Sequence, residues 1–412
     1  MLTLFTGTFF SQLIPFLMLP VLQRFFFSPS DFGLLALFVG YSELFINPGG
    51  LKLEYAIVVQ STIQKAIDVA KTAFKFVLII AFVSALVSVG VLLAGNNMEL
   101  SALGWALLLV PVAVLGMGIN GIASYWFNRH NEYGAIASNK IVQSISGEGT
   151  KLGMGVLQTG SWGLVAGRVT GQLLSGITLF FRFLRDVKSR GGDFSSKTKT
   201  AEVIKENYQY VYFATPSVMI SAAINFTYLY LFFITFGEAV AGMIGVSMQY
   251  IGVALGMMAG AFSQVFYGRV AGITNRSEMR QTYQKFMRLL FLAGAAVSIV
   301  MWVIPSPWVV FILGEKWEGL MDYTRIISTW LAFWFVSSSL SFIYMRLQKQ
   351  GFMLVMDVFH FFMAVAGFYI GYHNGNSPES ALWGFAVAQI LFYIIAVFLA
   401  LQFIKTSKLL HG

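Results

Sequence analysis

The sequence predicts an all-α, polytopic membrane protein: twelve transmembrane helices in two six-helix lobes with a central cavity. Three observations lead there. Only 11% of the residues are charged and 57% are hydrophobic, whereas a soluble globule carries about 25% charged residues. Apolar runs of about 20 residues, the length of a helix crossing ~30 Å of hydrocarbon, recur along the chain. In lipid such runs must satisfy their own backbone hydrogen bonds, which selects helices over open strands. A polar, basic break near the middle then divides the runs into two equal sets.

The first lobe, residues 1–184, holds spans at 2–22, 32–59, 72–93, 103–127, 137–157 and 162–184. No basic region precedes the first span and no small-residue cleavage site follows it, so it reads as a retained helix. The second contains Asn47, Pro48, Gly49 and Gly50 near its middle; proline removes a donor and clashes with the preceding turn, so this helix should kink or unwind. The fourth contains Gly116, Gly118 and Gly121, a GxGxxG spacing without the preceding strand that a dinucleotide fold requires. The fifth contains the polar run ISGEGTK, and the sixth carries Arg168.

Residues 185–209 form a cytoplasmic basic linker. The second lobe, 210–412, holds spans at 210–236, 239–266, 287–313, 323–346, 352–372 and 381–403 and a short cytoplasmic tail. Both lobes contain a tight acidic turn followed by a glycine-bearing helix, SPSDFGLLALFVGYSELF in one and FGEAVAGMIGVSMQYIGV in the other. Six helices per unit make this a parallel repeat, and such repeats place a substrate site between lobes. Gly252, Gly256 and Gly260 recur every fourth residue in the eighth span, a spacing that permits close helix approach.

Lys and Arg accumulate in cytoplasmic loops. With both termini inside, Arg24 and Lys316 alone fall in outside loops, while Lys52, Lys151, Arg168 and Arg325 lie within or at the ends of spans. All other Lys and Arg, Lys197 and Lys408 included, collect on the inside. That bias accounts for the net charge of +9 without nucleic acid as a partner.

Charges at membrane depth cost roughly 2.5–3.5 kcal/mol on insertion scales and so face protein or a wet cavity. The organising stretch, 11–59, carries Gln12, Arg24, Glu43, Asn47, Lys52 and Glu54. On a continuous helix Lys52 and Glu54 would point about 200° apart, so they should not neutralise each other and one or both should face the cavity. Glu148 and Lys151, three residues apart, read either as an intrahelical ion pair or as cavity groups. Arg168 has no acid within a turn and either contacts an anion or snorkels to an interface. Asn225, Gln249 and Gln264 either bind hydroxyl-rich ligands or hydrogen-bond between helices. Asp357 and His360 share a face and read as a proton relay or as wet residues beneath a headgroup layer.

Other chemistry is excluded or unsupported. There is no cysteine, and His130, His360, His373 and His411 are too scattered for a metal cluster. No GxxxxGK[ST] loop and no nucleophile–base constellation occurs. Neither a cofactor nor a metal is expected.

The stretch GTFFSQLIPFLMLPVLQRFFFSPSDFGLLALF, followed by LKLEYAIVV, resembles the start of bacterial polysaccharide flippases of the Wzx type, in the multidrug/oligosaccharidyl-lipid/polysaccharide (MOP) exporter superfamily. GEKWEGLMDYTRIISTWLAFWFVSSSLSFIYMRLQKQ and AFSQVFYGRVA are similar to later parts of that family. The resemblance implies two lobes opening alternately to each side of the bacterial inner membrane, translocating an undecaprenyl-pyrophosphate-linked glycan to the periplasmic leaflet. It places a basic family position on Arg24 and a basic-x-Glu signature on Lys52 and Glu54, with lysine where arginine is usual. A cavity lined by Lys52, Arg168, Lys151 and Arg24 would then offset the lost hydration of a pyrophosphate. Glu54, Glu148, Glu43 and Asp357 would order these cations or couple transport to H+ or Na+. Membrane lipids, and a polysaccharide polymerase with its chain-length machinery, are the implied partners. A multidrug antiporter of the same superfamily and a membrane-embedded polymerase or glycosyltransferase are the alternatives; the short outside loops disfavour the latter.

Overall fold

The computed structural model describes residues 2–95, 99–195 and 198–407, with side chains from Ser11 onward except those of Glu99 and Gln350. Lys197, Lys408 and His411 lie outside the described residues. Helix α1 (Leu2–Phe25) continues through Pro15 and Pro20. Ser28 then opens α2 (Pro29–Ile46) with a capping box, in which the Asp31 carboxylate accepts the Ser28 N–H at 2.8 Å. The expected interruption follows. The chain leaves the helix at Asn47, passes through left-handed Leu51 and Lys52 (φ 53° and 54°), and resumes as α3 (Leu53–Val59).

Next come α4 (Ile63–Ala94), a 3₁₀ stretch at Glu99–Leu109, α5 (Val110–Arg129), α6 (Tyr133–Val156) and α7 (Ser161–Ser189). A short α8 (Thr200–Glu206) and a π-helical turn at Tyr210–Ala214 lead into α9 (Thr215–Phe236) and α10 (Glu238–Val270). The span expected at 287–313 is two helices, α11 (Arg276–Val303) and α12 (Ser306–Leu313), because Pro305 forces Ile304 out of the helical region (ψ 123°). The span expected at 323–346 is likewise α13 (Leu320–Leu340) and α14 (Phe342–Arg346). The chain ends in α15 (Gln350–Gly375) and α16 (Pro378–Thr406).

Ten segments among the described residues are long and apolar enough to cross a membrane. Long helices α1 and α6 complete the expected twelve; α6 carries Lys140, Glu148 and Lys151 among serines and glycines and is too polar to count by composition.

The chain divides into two compact units, Met1–Gly242 and Met243–Gly412. The first unit extends past the basic stretch because α9 packs on α2, and Phe233 and Ala241 join the core built by Leu37, Phe38, Tyr41, Leu107 and Val165. The start of α10 also crosses α2 closely: a Cβ on Gly33 would lie 2.0 Å from the Glu238 carbonyl, and one on Gly242 1.8 Å from that of Pro29. A second core, around Trp126, Phe183, Ile67 and Val77, joins α4, α5 and α7. The expected linker is strapped along α4. Thr198 donates to Asp68 (2.7 Å), Gln64 donates to the Asp193 carbonyl (2.8 Å), and Lys65 pairs with Glu206 (3.1 Å).

The second unit is held by close helix crossings, as expected where lipid supplies no hydrophobic drive between helices. A Cβ on Gly384 of α16 would sit 2.2 Å from the Gly367 carbonyl and 2.6 Å from the Gly371 Cα of α15. The Gly252/Gly256/Gly260 stripe does not serve this purpose. Among the described residues Gly252 and Gly260 meet nothing within 4 Å and Gly256 only the Trp334 ring at 3.9 Å, because α10 buries Ile244, Ser247, Ile251, Leu255 and Ala259 instead.

Gly384→Val should therefore lower the detergent-solubilised melting temperature, an overpacking cost of about 1–3 kcal/mol or more. Gly268→Ala, whose Cβ meets nothing within 4 Å among the described residues, should leave it unchanged or raise it. Equal melting of the two variants would contradict this assignment of packing contacts.

Candidate functional site

The sequence-predicted charged candidates in the first unit, Arg24 excepted, fall in two places. In the first, Lys151 Nζ donates to Glu148 Oε1 at 2.6 Å, with both side chains largely buried. The intrahelical ion pair is thus formed. Arg168 of α7 is half-buried and within electrostatic reach of Lys151 and of Glu43 on α2. It makes no ion pair among the described residues, and its Nε is buried without a hydrogen-bond partner. Two carboxylates and two cations from three helices share one region, balanced in charge but with unused donors on the guanidinium.

Backbone proximity creates this arrangement. A Cβ on Gly167 would stand 2.3 Å from Lys151 Cγ, and one on Gly171 would stand 2.7 Å from the Gln143 carbonyl and 3.1 Å from Gly147 Cα. The missing side chains let α6 and α7 touch, so the Lys151 stem lies across α7 one residue before Arg168. These glycines were not singled out from the sequence, although the GxxxG spacing of Gly167 and Gly171 is legible there.

The second place is the break in α2–α3. Lys52 Nζ lies 3.6 Å from Glu54 Oε1 and 5.5 Å from the centre of the Tyr55 ring, and its side chain is only 11% exposed. The expectation that Lys52 and Glu54 point apart is corrected. It assumed a continuous helix, whereas Lys52 is the left-handed residue before α3 and its side chain turns back to Glu54. Glu54 Oε2 stays buried and unpartnered, 2.8 Å from where a Gly50 Cβ would be. Tyr55 stacks edge-on with Tyr125 (5.1 Å) and Tyr210 (6.4 Å), aromatic neighbours that sequence spacing did not reveal.

The remaining candidates are dispersed. Arg24 is exposed and lies over Phe25 at 5.9 Å. Gln12 is half-buried in α1, and Asn47 forms the C-cap of α2. Asn225 and Gln264 are exposed, and Gln249 is half-buried. Arg325 is structural, bonded to Asp322 (3.2 Å) and the Ile304 carbonyl (3.0 Å). His360 is not a wet interfacial residue. It is 8% exposed, 2.6 Å from Gln389 Oε1 and stacked flat on Phe392 at 3.9 Å, because α16 covers it. Asp357 is within electrostatic reach of Tyr393. Among the described residues no group of His, Asp and Glu could hold a metal ion.

Solved structures with this architecture are membrane transporters. The chain aligns over 96% of its length with 94% of a multidrug resistance MATE family transporter of the MOP superfamily in its inward-facing conformation, at 15% identity and a TM-score of 0.69. It aligns over 97% of its length with 87% of the lipid II flippase MurJ in an inward closed conformation, at 12% identity and 0.71. A MOP superfamily transporter from Pyrococcus furiosus, described by a binding pocket of reverse polarity, aligns over 98% of the chain and 94% of its own at 15% identity and 0.59. The fold is therefore that of MOP transporters.

The family described as "Polysaccharide biosynthesis protein" matches residues 21–322, and the chain belongs to it. No curated protein matches the chain in sequence.

Removing one partner of the inner pair should be costly. Glu148→Gln leaves Lys151 buried beside Arg168 without its counter-charge, an expected loss of about 3 kcal/mol. The double variant Glu148→Leu/Lys151→Leu should recover most of it, as read by melting in detergent; a double variant less stable than Glu148→Gln would show that the pair holds the fold.

Proposed function

We propose that the protein is a flippase, not an enzyme, which carries undecaprenyl-pyrophosphate-linked oligosaccharide from the cytoplasmic to the periplasmic leaflet of the bacterial inner membrane by alternating access. Both termini lie in the cytoplasm in this reading, as the Lys and Arg distribution favours. Membership of the polysaccharide biosynthesis family and the MOP fold support a polysaccharide precursor as cargo. The observation that carries the proposal is Arg168: a half-buried guanidinium with an unpartnered Nε and no ion pair among the described residues.

A pyrophosphate entering hydrocarbon loses its hydration. A guanidinium fork returns charge-assisted hydrogen bonds to it, while the polyprenyl tail stays in lipid. Arg168 is the primary contact in this scheme. Lys151 and Lys52, held by Glu148 and Glu54, are cations that substrate can draw away from their carboxylates, and Arg24 supplies positive field at the outer end. A carboxylate so released takes up H+ or Na+, with Glu43, Glu54, Glu148 and Asp357 as candidates, which would tie transport to an ion gradient. The flipped carrier would pass to a polysaccharide polymerase and its chain-length machinery.

Arg168→Gln should reduce translocation of labelled lipid-linked oligosaccharide in proteoliposomes by at least tenfold at unchanged protein abundance, and Lys52→Gln by less. Unchanged translocation in both variants would refute the assignment. Drug-driven cation exchange by the wild type would favour the antiporter alternative, and a change in glycan length the polymerase.

A further inference from the structure

We propose that the second unit binds an anionic phospholipid of the leaflet beside the first turns of α11, in a cleft between α11, α13 and α16. The cleft encloses about 320 Å³, near the lower end of the ~300–1,000 Å³ of ligand pockets. Its walls are apolar, with Phe291, Phe333, Val336, Val397 and Phe398 among them, and Arg288 is the one charged lining residue among the described residues.

Three observations identify the occupant. The cleft opens toward lipid: Phe291 and Phe398 are 48% and 63% exposed, and α11 presents Leu289, Leu292, Ile299, Val300 and Val303 on the same membrane-spanning helix, all more than half exposed. Its depth is that of a headgroup, because Arg288 is the last charge before the uncharged, mostly apolar run 289–303. Its charge is available, since Arg288 is exposed and has no hydrogen bond or ion pair among the described residues. A guanidinium at the interface beneath an apolar slot fits a phosphodiester with an acyl chain; basic pockets between transmembrane helices bind such headgroups. Arg280 and Lys285, one to two turns earlier on α11, add positive field without lining the slot. Asp357, which interacts with Tyr393, is likewise not among the lining residues.

The test is thermal unfolding of the full-length protein in detergent with added phosphatidylglycerol or phosphatidylcholine. Phosphatidylglycerol should raise the wild-type melting temperature and phosphatidylcholine should not. Arg288→Gln should lose at least half of the rise, and Arg280→Gln should keep it. Val397→Phe, which fills the slot but retains Arg288, should also lose it, and carries the test if Arg288→Gln folds poorly. A full response in both Arg288→Gln and Val397→Phe, or equal responses to the two lipids, would overturn the proposal. So would equal losses in the Arg280 and Arg288 variants, or an Arg288-dependent response to undecaprenyl phosphate in place of phosphatidylglycerol. None of these outcomes depends on whether the protein is a flippase.

Discussion

The contact of α6 with α7 is the constraint on which the polar interior of the first unit depends. Lipid tails are as apolar as the helices they surround, so helices associate through close packing. Gly147, Gly167 and Gly171 supply the closeness. Their effect goes beyond packing, since the same crossing lays the Lys151 stem on α7 and brings Lys151 and Glu148 into the neighbourhood of Arg168. A helix as polar as α6 is tolerable at membrane depth because its charges have been given protein surroundings.

The two units handle polarity differently. In the first, charges are held by opposite charges, as in Lys151 with Glu148 and Lys52 with Glu54. In the second, the most buried groups meet neutral partners, His360 with Gln389 and Ser247 with Thr324 at 2.8 Å, while the Arg325–Asp322 pair is more exposed. Replacing a neutral pair leaves an unmade hydrogen bond, whereas breaking an ionic pair strands a charge.

Membrane class, helix number and the interruption of the second span were legible from apolar run lengths and from Asn47–Gly50, because hydropathy and proline act locally. The Glu148–Lys151 pair was legible as one of two readings, since spacing on an unbroken helix fixes a shared face. Lys52 and Glu54 were misjudged for the converse reason: helical angles mean nothing where the backbone turns left-handed. The burial of His360 was also out of reach, because Gln389 and Phe392 come from another helix and leave no mark in the spacing of α15. The docking of Asp193, Thr198 and Glu206 on α4 was hidden similarly, as a polar run looks alike whether solvated or hydrogen-bonded to a neighbour.

Lys52 holds a backbone conformation that glycine adopts more cheaply. Glycine there would relieve the strain but would leave the buried Glu54 carboxylate without its counter-charge, so the ion pair holds lysine in a conformation its backbone disfavours.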